Sequence, residues 1–266
     1  EVRFSGVTIG GQLSCRRARF DGGGGIALNV QGARVLGGVS LGAVTITGEV
    51  SLSGAAIGGQ FSCKGATLDG SGVVSLNAQG AWVADVVFLE ALTSKGEVRF
   101  AGAAIGGQLD CEGARFDGGG GVAFNALRLR VEGTFFWREL DAVTGPVDFN
   151  ATYVADLVDD SESWEKTDAF SLVGLTYDNL VGPLDEEMRL AWLRRGAKLN
   201  GAFHPQPYQQ FAKVLRASGH RAEARAVLIE KECDQRRAAR ERALDGVSGF
   251  PGRTLVHAEY LPHRVW

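Results

Sequence analysis

Ile9-Gly10-Gly11-Gln12-Leu13-Ser14-Cys15 returns as Ile57-Gly58-Gly59-Gln60-Phe61-Ser62-Cys63, and again as Ile105-Gly106-Gly107-Gln108-Leu109-Asp110-Cys111. Each step is 48 residues, with no insertion or deletion between copies. The flanks keep the same register. Glu-Val-Arg-Phe opens at 1 and 97, and Glu-Val-Ser-Leu at 49. Asp21, Asp69 and Asp117 each lead a glycine-rich run, and Asn29, Asn77 and Asn125 follow it. A fixed period of this length marks a repeat architecture.

Each unit is itself double. Ala33–Leu41 aligns with Val7–Cys15 at an offset of 26, and the echo recurs at Ala81–Leu89. The unit thus reads as two coils of about 24 residues. Within a coil the apolar residues alternate: Val2 and Phe4, Val7 and Ile9, Leu13 and Cys15, Ala18 and Phe20. Period two is the strand signal. Short strands between glycine turns, repeated at this spacing, predict a right-handed parallel β-helix of six or seven coils.

Stacking the coils gives inward columns. One reads Leu13, Val39, Phe61, Val87, Leu109, Phe135. Its neighbour reads Cys15, Leu41, Cys63, Leu89, Cys111, Trp137, and a third Ala18, Val44, Ala66, Leu92, Ala114, Leu140. Cysteines two coils apart stand nearly ~10 Å from one another, beyond the ~7 Å that a disulfide spans. They are expected to be buried, reduced and unbridged. Free thiols favour a reducing compartment, so the expected location is cytoplasmic.

Glycine, 38 of 266 residues, is about twice as frequent as usual. Its positions recur, so it marks coil corners rather than a phosphate loop, and neither phosphate-binding fingerprint is present. The three asparagines are read as turn or ladder residues. The net charge of −3 argues against a nucleic-acid partner. No apolar run approaches the ~20 residues of a membrane helix, and no secretory signal opens the chain. Glu1 falls inside a repeat unit, so the chain is expected to be a fragment or a processed product.

The repeat pattern decays after about residue 141. Asp159-Asp160-Ser161-Glu162-Ser163 reads as a solvated loop, and Phe170–Tyr177 as the last coil. From 183 onward helical spacing takes over. Pro183 and Asp185-Glu186-Glu187 start a helix that ends on Arg194-Arg195 before Gly196. Pro207 opens a second, with Tyr208, Phe211, Ala212 and Leu215 on one face and Gly219 at its end. A third runs from about Arg221 to Leu244. The expected division is a β-helix at 1–182 and an α-helical cap at 183–266, the cap closing the last coil.

Several five-residue stretches resemble pentapeptide-repeat and related right-handed β-helix proteins: Ala18-Arg19-Phe20-Asp21-Gly22, Ala33-Arg34-Val35-Leu36-Gly37, Ala55-Ala56-Ile57-Gly58-Gly59 and Ala114-Arg115-Phe116-Asp117-Gly118. Tyr208 to Glu232 resembles a tetratricopeptide hairpin, with Gly219 at the turn and Ala224 at the close-packed position. Together with Arg189-Leu190-Ala191-Trp192-Leu193 and Gln206-Pro207-Tyr208, the chain resembles an actinobacterial family often labelled membrane-associated oxidoreductases. That resemblance implies redox chemistry and peripheral association with a membrane through segments outside this chain. No nicotinamide, flavin or haem motif accompanies it, so no cofactor is assigned.

The four histidines, His204, His220, His257 and His263, lack metal-ligand spacing, and no metal is assigned. Two function classes follow. The first is a structural or protein-interaction scaffold. Its helices would dock a protein partner or a second copy, with Arg236, Arg237 and Arg240 as the interaction surface. The second is an enzyme with a pocket where coil meets helix. Its candidate residues are Tyr177, Asp178, Arg189, His204 and Tyr208, with Trp192 as an aromatic wall.

Overall fold

The computed structural model describes residues 1–245. The chain forms two compact units, Glu1–Leu184 and Asp185–Trp266.

The first unit is a parallel β-solenoid. Thr8, Arg34, Ala56, Trp82, Ala104, Arg130, Tyr153 and Thr176 pair in succession, each parallel to the next, which makes about eight turns. The coils are not equal. The step is 26 residues from Thr8 to Arg34 and 22 from Arg34 to Ala56. That alternation repeats and settles at 23 for the last two. A 48-residue sequence repeat is therefore one long and one short coil.

The glycine runs account for the difference. The strand Arg19–Asn29 has 11 residues and pairs with Thr45–Ser51, which has 7. Asp21 faces Thr47, yet Glu49 is reached only at Ile26. The intervening glycines bulge out of the strand rather than turning a corner as the sequence suggested. Gly23 and Gly24 hold φ of 57° and 85°, which glycine tolerates without cost. The leading aspartate ties each bulge down. Asp21 accepts from the Gly23 N–H, Asp69 from Ser71 and Asp117 from Gly119, all at 2.9 Å.

The predicted columns form the core. Leu13 pairs with Val39, Val39 with Phe61, Phe61 with Val87, Val87 with Leu109 and Leu109 with Phe135. All six are buried. Cys63 and Cys111 are also buried, and all four cysteines are free. Cys15 departs from expectation: it is only half-buried, because its coil has a neighbour on one side alone. Beyond Phe100 the filling turns aromatic. Trp137 stacks on Phe116 at 5.9 Å, and Phe149 meets Trp137 edge-on at 5.3 Å. Each such ring buries roughly 150–250 Å² of surface.

The repeated asparagines do not ladder with one another. Each donates to the glutamate 28 residues before it: Asn29 to Glu1 and Asn77 to Glu49 at 3.1 Å, Asn125 to Glu97 at 2.8 Å. Each side-chain oxygen also accepts from the backbone two residues on. The repeats of Glu and Asn are two halves of one coil-to-coil bond.

The Asp159–Ser163 stretch corrects the sequence reading. It is not a solvated loop. Helix α1, Ser161–Glu165, starts there, with Asp160 as N-cap accepting from the Ser163 N–H at 2.6 Å. Asp159 is buried and accepts from the Trp164 indole N–H at 2.7 Å. The acid-rich surface hides a ring that joins the aromatic core, with Trp164 6.0 Å from Trp137. Thr167–Ser171 and Thr176–Val181 then form the last turn.

In the second unit, helix α2 spans Glu186–Gly196, capped by Asp185, which accepts from the Met188 N–H at 2.8 Å. Acidic residues open it and Arg194 and Arg195 close it, as the helix dipole favours. Lys198–Leu199 and Ala202–Phe203 then pair as an antiparallel hairpin. Asn200 and Gly201, both at positive φ, make its turn. Helix α3, Gln206–Ala217, buries Tyr208, Phe211, Ala212 and Leu215 on one face. Gly219 (φ 89°) reverses the chain. Helix α4, Arg221–Asp245, packs back along α3 with Ala224 buried. Among the described residues, no helix is long and apolar enough to cross a membrane.

Candidate functional site

Tyr208 and Asp234 sit where α3 and α4 run side by side. Tyr208 enters from the apolar face of α3 and is fully buried. Its hydroxyl donates to Oδ2 of Asp234 at 2.8 Å. The same oxygen accepts from Nε of Arg194 at 3.0 Å, and Oδ1 accepts from Arg237 at 3.0 Å. Asp234 is only 7% exposed, and these donors satisfy its buried carboxylate oxygens. Arg194 reaches Glu230 as well, at 2.8 Å. Three elements, α2, α3 and α4, are thus tied at one carboxylate.

The chemistry of the group follows from its environment. Burial, then the bond to Asp234, pushes the Tyr208 phenol well above the usual tyrosine range. The Asp234 partner raises Arg194 in turn. A neutral phenol that spends its proton on a neighbouring carboxylate is a poor general base. This cluster is built to hold helices in place.

Beside it opens a pocket of about 220 Å³. Phe203 from the hairpin and Tyr208 line it, their ring centroids 5.8 Å apart. Arg194, Lys198, Arg237 and Arg242 bring positive charge, against Asp234 and Glu241.

The residues singled out in the sequence divide between the two units. Tyr177 and Asp178 lie on the last solenoid strand, Thr176–Val181. Tyr177 is buried, while Asp178 accepts from the Tyr153 hydroxyl at 2.9 Å on the surface. That bond raises the Tyr153 phenol, and the Arg130 guanidinium lies 4.4 Å over its ring. Arg189, His204 and Tyr208 belong to the helical unit. Arg189 is 1% exposed, with its guanidinium 5.3 Å from the Trp192 ring centre. His204 is half-buried, and its backbone N–H donates to the Ala197 carbonyl at 2.8 Å. Of these five only Tyr208 joins the Asp234 cluster.

Asp234 itself escaped the sequence reading. It stands in a run of charges, and nothing in the run separates a buried carboxylate from a solvated one. The hairpin was also missed, although Asn200-Gly201 between Leu199 and Ala202 is a hairpin turn signal. On α4, Arg236 and Arg237 are exposed and Arg240 half-buried. Arg237 faces Asp234, while Arg236 and Arg240, one turn apart, share another face. Among the described residues, no group of three or more His, Cys, Asp or Glu could hold a metal ion.

No protein-family model, curated protein or solved structure matches the chain. The fold and site define a parallel β-solenoid followed by a compact helical unit. The expected likeness to an actinobacterial family finds no match in these comparisons.

Proposed function

We propose that this protein is a non-catalytic scaffold, in which the solenoid is a rigid platform and the helical unit docks an acidic protein surface. The observation that carries this reading is the distribution of charge. Residues 1–184 contain 13 basic and 21 acidic groups, and residues 185–266 contain 15 and 10. A chain whose net charge is near zero thus divides into an acidic unit and a basic one. On α4, Arg236 and Arg240, one turn apart, place that positive charge on one face, while Arg237 is paired with Asp234. Like-signed charge on one face steers a complementary partner and speeds encounter. The acidic solenoid of a second copy is such a partner. The Tyr208–Asp234–Arg194 cluster supports a structural role for the helices, since the Tyr208 hydroxyl and Arg194 Nε are both committed to Asp234.

Sedimentation velocity tests this. At low salt the chain is expected to associate with a second copy or with polyglutamate. Association should fade at high salt, as screening requires, and in Arg236→Glu/Arg240→Glu. A wild-type chain that stays monomeric and binds polyglutamate no better than the variant defeats the reading.

A further inference from the structure

The pocket beside Asp234 carries an inference independent of partner docking. Its four cations are not equivalent. Arg194 and Arg237 are spent on Asp234 and Glu230. Among the described residues, Lys198 has no ion pair, and Arg242 donates only through Nε, to the Ala238 carbonyl at 3.3 Å. The terminal nitrogens of Arg242 and the Lys198 ammonium are therefore available donors on one pocket lining. The Phe203–Tyr208 ring pair lines the same pocket, and Lys198 is the cross-strand partner of Phe203 on the hairpin. Glu241 is the one lining carboxylate without a partner among the described residues, which leaves the uncommitted charge positive.

We infer that this pocket binds a small oxyanion borne on a flat ring, a phosphate ester or carboxylate. Arg242 and Lys198 would take the anionic head. An arginine's planar fork suits two oxygens of one oxyanion, and the lysine adds a mobile point charge. The ring would lie against Phe203, the half-buried member of the aromatic pair. Asp234 does not oppose the anion at full strength, because its charge is already met by two guanidinium groups and a phenol. At about 220 Å³ the pocket admits one ring and its head group, not a nucleotide chain.

Calorimetric titration of the full chain with phenyl phosphate, benzoate and inorganic phosphate tests the site. Phenyl phosphate should bind saturably at one site. Lys198→Ala/Arg242→Ala should weaken it about 10-fold or more, as the loss of charge-assisted bonds predicts. Arg236→Ala/Arg240→Ala should leave it unchanged, which separates this site from the docking face. Phe203→Ala should bring phenyl phosphate down to the affinity of inorganic phosphate. Benzoate in place of phenyl phosphate as the tighter ligand would mark a carboxylate site of the same class. All these side chains are at least partly exposed, and circular dichroism of the variants checks that the fold is kept. No saturable binding by 10 mM (about the weakest affinity worth assigning), or equal binding by the Lys198/Arg242 variant, overturns the inference.

Discussion

The Tyr208 hydroxyl and the Asp234 carboxylate meet at 2.8 Å, although 26 residues separate them in the chain. The bond crosses from α3 to α4, and Arg194 of α2 joins the same oxygen. Tyr208→Phe leaves Asp234 two guanidinium donors and should cost about 1–2 kcal/mol. Asp234→Ala leaves the buried phenol without its acceptor, while Arg194 keeps Glu230 and Arg237 turns to solvent, and should cost about 1–3 kcal/mol. Urea unfolding followed through the helical signal measures both. If Asp234→Ala lies within 0.5 kcal/mol of wild type, roughly the scatter of a surface change, the cluster does not hold the helices.

Sequence and structure agree where a single physical signal dominates. The 48-residue period and the alternation of Leu13 with Cys15 leave one solution, stacked parallel coils, and the columns fall where they were read. The signal fails where two signals overlap. The Asp159–Ser163 acids mark polarity, but Trp164 behind them needed burial, and the short capped helix serves both. Coil length misled because the repeat gives only the sum of a long and a short coil. At the site, Tyr208 is visible as one residue of an apolar helix face. Asp234 is not, since its burial depends on which face of a highly charged helix meets α3.

The Gly-Gly pair repeats in each copy, yet its constraint differs. A β-carbon on Gly58 would collide with the Leu36 carbonyl, and one on Gly106 with the Ala84 carbonyl. A β-carbon on Gly10 meets nothing within 4 Å. Gly58→Ala and Gly106→Ala should each destabilise the solenoid by about 2–3 kcal/mol, as forced overpacking does. Gly10→Ala should be nearly neutral. Thermal melts of the three variants compare them directly, and equal losses would mean the motif serves turn geometry rather than coil spacing.

Thiol accessibility separates the cysteines in three steps. Cys233 is exposed, Cys15 half-buried, and Cys63 and Cys111 wholly buried. Burial raises the thiol pKa of all three solenoid cysteines above the usual range, furthest for the buried pair. The thiolate is the reacting species, so desolvation and access act in one direction. In native buffer a thiol reagent should label Cys233 first and Cys15 more slowly. Cys63 and Cys111 should react only at the rate of unfolding. Mass mapping of the adducts reads the order, and early labelling of Cys63 would invert the assignment of the inner face.

One turn of the coil carries strain that can be relieved. Gly54, Gly80 and Gly102 occupy it with φ between 63° and 66°, and Arg128 takes the same place at 56°. The backbone bonds prove the equivalence. Gly80 donates to Ala101, Gly102 to Leu127 and Arg128 to Asn150, each to the coil that follows. A residue with a β-carbon costs about 1–2 kcal/mol in this conformation, whereas glycine pays only in the unfolded chain, by about 0.5–1 kcal/mol. Arg128→Gly should therefore stabilise the solenoid by about 0.5–1 kcal/mol, a rise of roughly 1–4 °C in Tm for a unit of this size. Gly102→Ala should do the reverse by about 1 kcal/mol, even though its β-carbon would meet nothing within 4 Å. Opposite signs for the two substitutions isolate backbone strain from packing. A lower Tm for Arg128→Gly would show that the arginine side chain contributes more than its backbone conformation costs.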